Sequence, residues 1–484
     1  MTIERLRRTC VDLLGPDGVI SEGPRLRTYE GDGLTGYRVQ PALVVLPTTT
    51  EQVAAVVRAC RAQQVPFVAR GSGTGLSGGA LPHADGVLIV LSRMRAILHV
   101  DIANRYLVAE PGVTNAAISA AVAAHDLYYA PDPSSQIVCS IGGNVAENSG
   151  GVHCLKYGFT TNHVLGLEFV TADGDIVDLG APVADAVGYD LRGVVVGSEG
   201  TLGIVTKVAV RLLRRPEAVE TLLADFDTPR EAGDAVAAIT TAGIIPAGME
   251  MMDRLAVRAC EEDAHVGLNL ECGAVLVVEL DGPHAEVTAR FAEVQQHCRE
   301  AGATSIRIAA DAAERALIWK GRKAAFAAMG RLSRDYFVQD GVIPRTRLGE
   351  VLERIDEMSR ETGYRVANVF HAGDGNLHPL VLYDGRNEGE AEEAERLSIR
   401  IVELCVDSGG SITGEHGVGT DKACSMPKMF GEDDLAIMQR LRAALDPAGL
   451  CNPGKVFPTP RLCGERPGPY RPHPLEEAGI AERL

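Results

Sequence analysis

His371 and His378 are separated by six residues, within Val366-Ala-Asn-Val-Phe-His371-Ala-Gly-Asp-Gly-Asn-Leu-His378-Pro-Leu-Val-Leu, and that spacing can build a metal site. Each flank reads as an extended apolar run, and Asp374-Gly375 is a favoured two-residue hairpin turn. With those two residues at the tip, positions 371 and 378 are directly opposed on one face, with Cβ atoms about 4.5–5.5 Å apart. Two imidazoles at that separation can share one divalent ion; a packed histidine pair at a sheet edge is the structural alternative. A second cluster, Ser411-Ile-Thr-Gly-Glu415-His416-Gly-Val-Gly, sets a carboxylate beside an imidazole between glycines. Glycine there permits close backbone approach to a ligand. Two histidines and a carboxylate with open positions suit Zn2+, Mn2+ or Fe2+ acting as a Lewis acid.

The other chemistry-bearing stretch is Arg70-Gly-Ser-Gly-Thr-Gly-Leu-Ser-Gly-Gly79, entered from the strand-like Val65-Pro-Phe-Val-Ala. Successive free amides in such a loop make a cradle for phosphate oxygens. Gly73-Thr-Gly-Leu-Ser-Gly78 satisfies G-x-G-x-x-G, but a turn and then a strand follow instead of a helix. No acidic residue stands about 20 positions on, so a Rossmann site is excluded. No lysine follows the glycines, which excludes a Walker A loop. A purely structural turn is the alternative. Residues 142–151 offer small side chains and bare amides, a flat wall suited to a planar ring; a buried loop with structural bonds only is the alternative.

These stretches need a frame. The chain has 484 residues, room for two or three domains. With 47 Lys plus Arg against 65 Asp plus Glu, its formal charge is −18, which argues against nucleic-acid binding. No apolar secretory signal and no membrane-length apolar stretch are visible. The 11 cysteines are scattered without a C-x-x-C pair, which reads as reduced thiols in the cytoplasm and no iron–sulfur cluster. Residues 1–37 read as a lead-in. Strands are expected near 42–46, 65–69, 86–91, 105–110, 165–170 and 204–210, with helices at 51–60 and 114–124. The stretch 131–151 reads as an ordered binding loop. From 217 to 410 helices and strands alternate, with helices near 230–242 and 284–301 and strands near 274–280 and 365–371, an α+β pattern. The Gly- and Pro-punctuated segment 411–458 rejoins the first domain, and 459–484 reads as a surface tail.

Four separated motifs, in order, resemble the vanillyl-alcohol-oxidase type of FAD-linked flavoprotein. They are Val68-Ala-Arg-Gly-Ser-Gly-Thr-Gly-Leu-Ser-Gly-Gly; Pro131-Asp-Pro-Ser-Ser-Gln with Ser140-Ile-Gly-Gly-Asn-Val-Ala-Glu-Asn-Ser-Gly-Gly; Gly197-Ser-Glu-Gly-Thr-Leu-Gly-Ile-Val; and Asn452-Pro-Gly-Lys-Val-Phe. The resemblance covers about residues 38–458. It implies a fold of class α+β, with a two-lobed FAD-binding domain at 38–216 and a cap or substrate domain at 217–410. The segment 411–458 then completes the active site.

The resemblance also assigns roles. Non-covalent FAD would contact Arg70, Gly71, Ser72, Gly73, Thr74, Gly75, Leu76 and Ser77 in the first motif. In the second it would contact Pro131, Asp132, Ser135, Ser140, Gly142, Gly143, Asn144, Ala146, Asn148, Gly150 and Gly151. Glu199, Gly203, Ile204, Val205 and Asn452 complete that set. His371, His378 and Glu415 resemble ligands of a divalent metal (Zn, Mn or Fe). His416 resembles the catalytic base, and Arg322 resembles the holder of a substrate carboxylate; a helix-surface cation beside Lys320 and Lys323 is the alternative for Arg322. Trp319-Lys-Gly-Arg-Lys-Ala-Ala-Phe and Asp340-Gly-Val-Ile-Pro-Arg are more similar to the glycolate-oxidising branch than to the D-lactate and D-2-hydroxyglutarate branches. The implied activity is oxidation of a small 2-hydroxy acid, glycolate to glyoxylate, with D-lactate oxidation or a non-catalytic FAD-carrying subunit as alternatives. Electrons would pass to partner subunits including an iron–sulfur protein, in the cytoplasm or at the inner face of the membrane through those partners.

Overall fold

A computed structural model describes residues 2–182 and 188–458; the tail expected at 459–484 lies outside the described residues. The first sheet has four strands in the order Val19–Ile20, Leu43–Val45, Val87–Val90, Phe67–Arg70, with the last three parallel. Helix Thr50–Ala62 covers it. Thr49 caps that helix by accepting from the Gln52 amide, and Val53, Val56, Val57 and Cys60 recur at helical spacing on its buried face. Within the lead-in, helix Thr2–Leu14 buries Leu6 and Cys10 in the same core.

An antiparallel five-stranded sheet follows, in the order Ile97–Asp101, Tyr106–Ala109, Gly203–Arg211, Val164–Thr171, Ile176–Gly180. The stretch expected to be a loop at 131–151 contains a helix, Ile141–Glu147, whose Ile141 and Val145 enter the core of this sheet. Two adjacent glycines hid the helix in the sequence, because glycine carries a propensity penalty that packing here overrides.

The third sheet is the largest. Its path runs Ser305–Ile308, Ala218–Phe226, Ala274–Gly282, Gly248–Asp253, Val366–His371, Asn376–Leu377, Gly341–Val342, and Asp335–Val338 joins through Pro379–Tyr383. Helices Pro229–Thr241, His284–Glu300, Leu348–Thr362 and Glu390–Asp407 pack one face, and Arg254–Ala264, Ala312–Lys323 and Ala325–Met329 the other. After it the chain returns to the first sheet: Cys451 bridges Phe67 in parallel, and the Asn452 amide donates to the Phe67 carbonyl at 2.8 Å. Nine cysteines are free and buried.

The lobes are joined by a buried charge cluster. His153 sets Nδ1 2.9 Å from Asp132 and Nε2 3.2 Å from Glu279 of the third sheet. Trp319 and Thr221 both donate to the second oxygen of Glu279, each at 2.6 Å. Burial pushes the His153 pKa down, but Asp132 and Glu279 outweigh it and raise the pKa to about 10. A histidine raised in the folded state contributes stability that is complete below its unfolded pKa near 6.5 and is lost as pH rises through about 10. We expect His153→Gln to lower stability at pH 6 by about 3 kcal/mol, because it strands two buried carboxylates. Unfolding measured across pH should show the deficit shrinking as pH rises towards 10; a deficit independent of pH would contradict this linkage.

Candidate active site

A cleft of about 360 Å3 lies between the two sheets of the amino-terminal half and the end of the third sheet. One wall is the glycine loop at Arg70–Leu76, another the helix Ile141–Glu147 with Ser149 and Gly150, a third the turn Ser198–Gly200 with Gly203–Val205. Ser135 also lines it. The far end carries Arg322, Phe326, Tyr336, Val338, His371, His378, Glu415 and His416.

Most residues assigned to FAD by resemblance line this cleft, but Ser77, Pro131, Asp132, Asn148, Gly151 and Asn452 do not. They do not line it, and most of their polar groups are engaged elsewhere, although the Ser77 hydroxyl is buried without a partner. The Ser77 carbonyl accepts from the amides of Thr420 and Asp421. The Pro131 carbonyl accepts from Asn115, Asp132 binds His153, and Asn148 accepts from the Thr161 amide. Gly151 packs against the Asp132 backbone. Asn452 donates to the carbonyls of Gly79 and Glu199.

The cleft fits a flat dinucleotide. A Cβ built at Gly75 would meet only Glu147 Oε1, at 3.8 Å, so the loop presents bare backbone to open space. Ser140 is buried at the cleft with its Oγ unpartnered, an orphan that a bound group can satisfy. Arg70 sits at the root of the glycine loop, suited to a phosphate. Burial, with the adjacent Glu199, pushes the Glu147 carboxyl well above the usual carboxylate range, which disfavours negative charge beside such a ligand.

The histidine pair is brought together, though not through the expected turn. His371 pairs with Asn376, Asn368 with Pro379 and Val366 with Val381, so the loop is four residues, Ala372–Gly375, with Gly375 at φ 72°. The Gly375 carbonyl accepts from Ile343, an outside contact that selects the longer loop. The register moves by one residue on each strand, which preserves the face. His371 and His378 become diagonal neighbours with ring centroids 5.1 Å apart.

Glu415 Oε1 reaches both, 3.1 Å from His371 Nε2 and 3.5 Å from His378 Nε2. Ligand atoms bound tetrahedrally at 2.0–2.1 Å to one ion are about 3.4 Å apart, so the three are spaced for one. His378 has both ring nitrogens buried and unpartnered by hydrogen bonds, as an absent ligand would leave them. Across the cleft a Cβ on Gly150 would lie 2.5 Å from Glu415 Oε2, so only glycine lets the flavin-side wall come this close.

Glu250 was not legible as a site residue. It lies opposite His371 on the neighbouring strand and accepts from Nδ1 at 2.6 Å, which leaves Nε2 turned towards Glu415. Its other oxygen is 2.6 Å from Arg322 Nη2, an ion pair not aligned as a hydrogen bond; Arg322 Nε has no partner. Arg322 is 1% exposed, so it is a buried cleft cation and not a helix-surface one. Burial pushes the His371 pKa down, yet Glu250 and Glu415 carry it well above the usual value. Burial would raise Glu415, but His371 foremost lowers it to about 2. His416, stacked on His378 at 4.8 Å, is pushed down to about 4, chiefly by burial, and its Nδ1 is unpartnered. It is therefore neutral at pH 7 and able to accept a proton.

Two family models match the chain: an FAD binding domain over residues 41–180 and the C-terminal domain of FAD linked oxidases over residues 215–456. Glycolate oxidase subunit GlcD of Escherichia coli (strain K12) is 52% identical over 437 residues, 90% of this chain and 88% of that one. A D-lactate dehydrogenase of Archaeoglobus fulgidus is 32% identical, covering 86% and 91%. In fold, the chain is similar to p-cresol methylhydroxylase with substrate bound, at TM-score 0.80 and 17% identity, over 94% of this chain and 96% of that structure.

We expect Gly75→Val to fill the space above the loop and lower FAD content by at least about tenfold without unfolding the chain. Visible flavin absorbance per mole of protein measures this; unchanged flavin content would show that the loop does not face the cofactor.

Proposed function

The chain belongs to the FAD-linked oxidase family, and from that premise we propose that it oxidises a small 2-hydroxy acid, glycolate to glyoxylate first. The observation that carries the reading is the convergence of His371, His378, Glu415, His416 and Arg322 at one end of the FAD cleft. Bound FAD supplies a two-electron acceptor. A divalent ion, Zn, Mn or Fe, held by His371, His378 and Glu415 would supply Lewis acidity that makes a hydroxyl proton easier to remove.

The chain's own side chains do the rest. Arg322, its guanidinium steadied by Glu250, holds the substrate carboxylate through its open N–H groups. His416, neutral at pH 7, takes the hydroxyl proton at the unpartnered Nδ1. Phe326 and Val338 form an apolar wall that limits water around the reacting carbon. Arg70 and Arg322 are the only arginines or lysines among the described residues lining the cleft. With Arg70 at the glycine loop, one substrate carboxylate has a partner and a second has none, which supports a monocarboxylic substrate. Relatives named D-lactate dehydrogenase make D-lactate the second candidate.

The relative named as a subunit supports partner subunits here as well, with an iron–sulfur protein as the proposed electron acceptor. No described helix is long and apolar enough to cross a membrane. We place the protein in the cytoplasm, or at the inner face of the membrane through its partners.

Mixing the FAD-loaded protein anaerobically with glycolate, D-lactate and D-2-hydroxyglutarate should bleach the flavin fastest with glycolate and slowest with the diacid. Removing divalent metal with a chelator, or substituting His416 by Ala, should slow that bleaching by at least about 100-fold, with metal restored activity in the first case only. Bleaching unchanged by His416→Ala would remove His416 as the base, and no bleaching of the unaltered protein by any of the three acids would favour the non-catalytic subunit instead. Arg322→Lys loses the two-pronged grip and should raise KM for glycolate by about tenfold; an unaltered KM would remove Arg322 from the carboxylate site.

A further inference from the structure

Asp340 is not assigned by anything above. It is fully buried, between the strands Asp335–Val338 and Gly341–Val342 of the third sheet. Its carboxylate receives three consecutive backbone amides of the loop that carries the acid–base pair: Gly414 at 3.0 Å, Glu415 at 3.2 Å and His416 at 2.9 Å. Thr413 Oγ1 donates to it at 2.5 Å, and Lys422 Nζ lies 3.3 Å away. Successive amides converging on one anion form a nest, and a carboxylate is the side chain able to accept from so many donors at once. The next part of the loop hangs from a second buried carboxylate: Glu199, from the flavin-side turn, accepts from Val418 and Gly419, each at 2.7 Å. The loop is thereby strung between one carboxyl group from each lobe. Asp340 Oδ1 also lies 3.4 Å from His378 Nε2.

We propose that Asp340 is a positioning residue whose nest around Gly414–His416 aims the Glu415 carboxylate at the two histidines and the His416 ring at the substrate. The inference rests on the 2-hydroxy-acid reading for its catalytic part. Its structural part, the aim of Glu415, does not need turnover. The anchor is a sheet edge, and the loop is also clamped there by the Val342–Ser411 bridge. A carboxamide in place of the carboxylate puts an NH2 group against N–H donors, so the loop must rotate away at one or more amides.

The test uses the full chain loaded with FAD. Asp340→Asn should retain flavin, lower kcat with glycolate about 100-fold and change KM less than about threefold, as expected for misaimed groups and an intact carboxylate clamp. Titrating the metal-depleted protein with Mn2+ should show binding weaker by about 10- to 100-fold. Thr413→Val, which removes one donor and leaves the carboxylate in place, should lower kcat about fivefold in the same direction and serves if the first variant does not fold. Wild-type kcat and Mn2+ affinity in folded Asp340→Asn overturn the proposal, as do wild-type values in Thr413→Val. If Asp340→Asn abolishes Mn2+ binding while Thr413→Val changes nothing, Asp340 is itself a ligand and the positioning role is wrong. If the unaltered protein is reduced by no 2-hydroxy acid, the functional reading fails alone, and the Mn2+ titrations still decide the role of Asp340.

Discussion

Charged groups taken out of water must find opposite charge or hydrogen bonds, and the junction between the two lobes is built on that constraint. Glu250 is its centre. One oxygen accepts a hydrogen bond from His371 Nδ1 and the other faces the guanidinium of Arg322, with both carboxylate and guanidinium almost wholly buried. Removing Glu250 would strand a buried cation and free an imidazole. The same carboxylate thus orients a nitrogen towards Glu415 and a guanidinium towards the cleft. A cross-strand pairing, Glu250 opposite His371, is enough to place it.

The division of labour between lobes follows from their backbones. The amino-terminal half contributes surfaces with little side chain, the loop at 70–76 and the helix at 141–147, where a planar cofactor can lie against amides. The third sheet contributes long polar side chains projecting from strand ends, held by neighbours on rigid elements. The loop 411–419 belongs to neither and touches both, being held by Asp340 from one side and Glu199 from the other. Gly150 lets the flavin-side wall press against Glu415. The proposed reaction needs a hydroxyl-bearing carbon between an electron acceptor and a base, and this junction is where such a carbon fits.

Much of this was readable in the chain because it is local. The apolar runs at 43–45, 67–70, 87–90 and 203–211 announced strands, and the Thr49 cap announced its helix. The histidine pair survived a wrong turn assignment because moving the register by one residue on each strand keeps both side chains on one face. Asp374-Gly375 favours a two-residue turn, but the Ile343 contact to Gly375 lies 32 positions away and is invisible locally. Glu250 and Asp340 escaped for the same reason. Each is an ordinary acidic residue in its own segment and acquires a role only when topology sets it against residue 371 or residues 414–416. Motif resemblance also does not by itself separate residues that line the cleft from those such as Asp132 and Asn452, whose side chains bond to neighbouring elements outside its lining.

In the proposed active state FAD and a divalent ion would share one cleft, with the ion between His371, His378 and Glu415. Crystals of the FAD-bearing protein grown with Mn2+ and glycolate test it through the anomalous scattering of manganese. The account predicts one strong peak within about 2.2 Å of His371 Nε2, a His378 ring nitrogen and a Glu415 oxygen, with the flavin ring in the adjoining cleft. A flavin in place with no manganese among these three side chains, or with their rings turned apart, would contradict it.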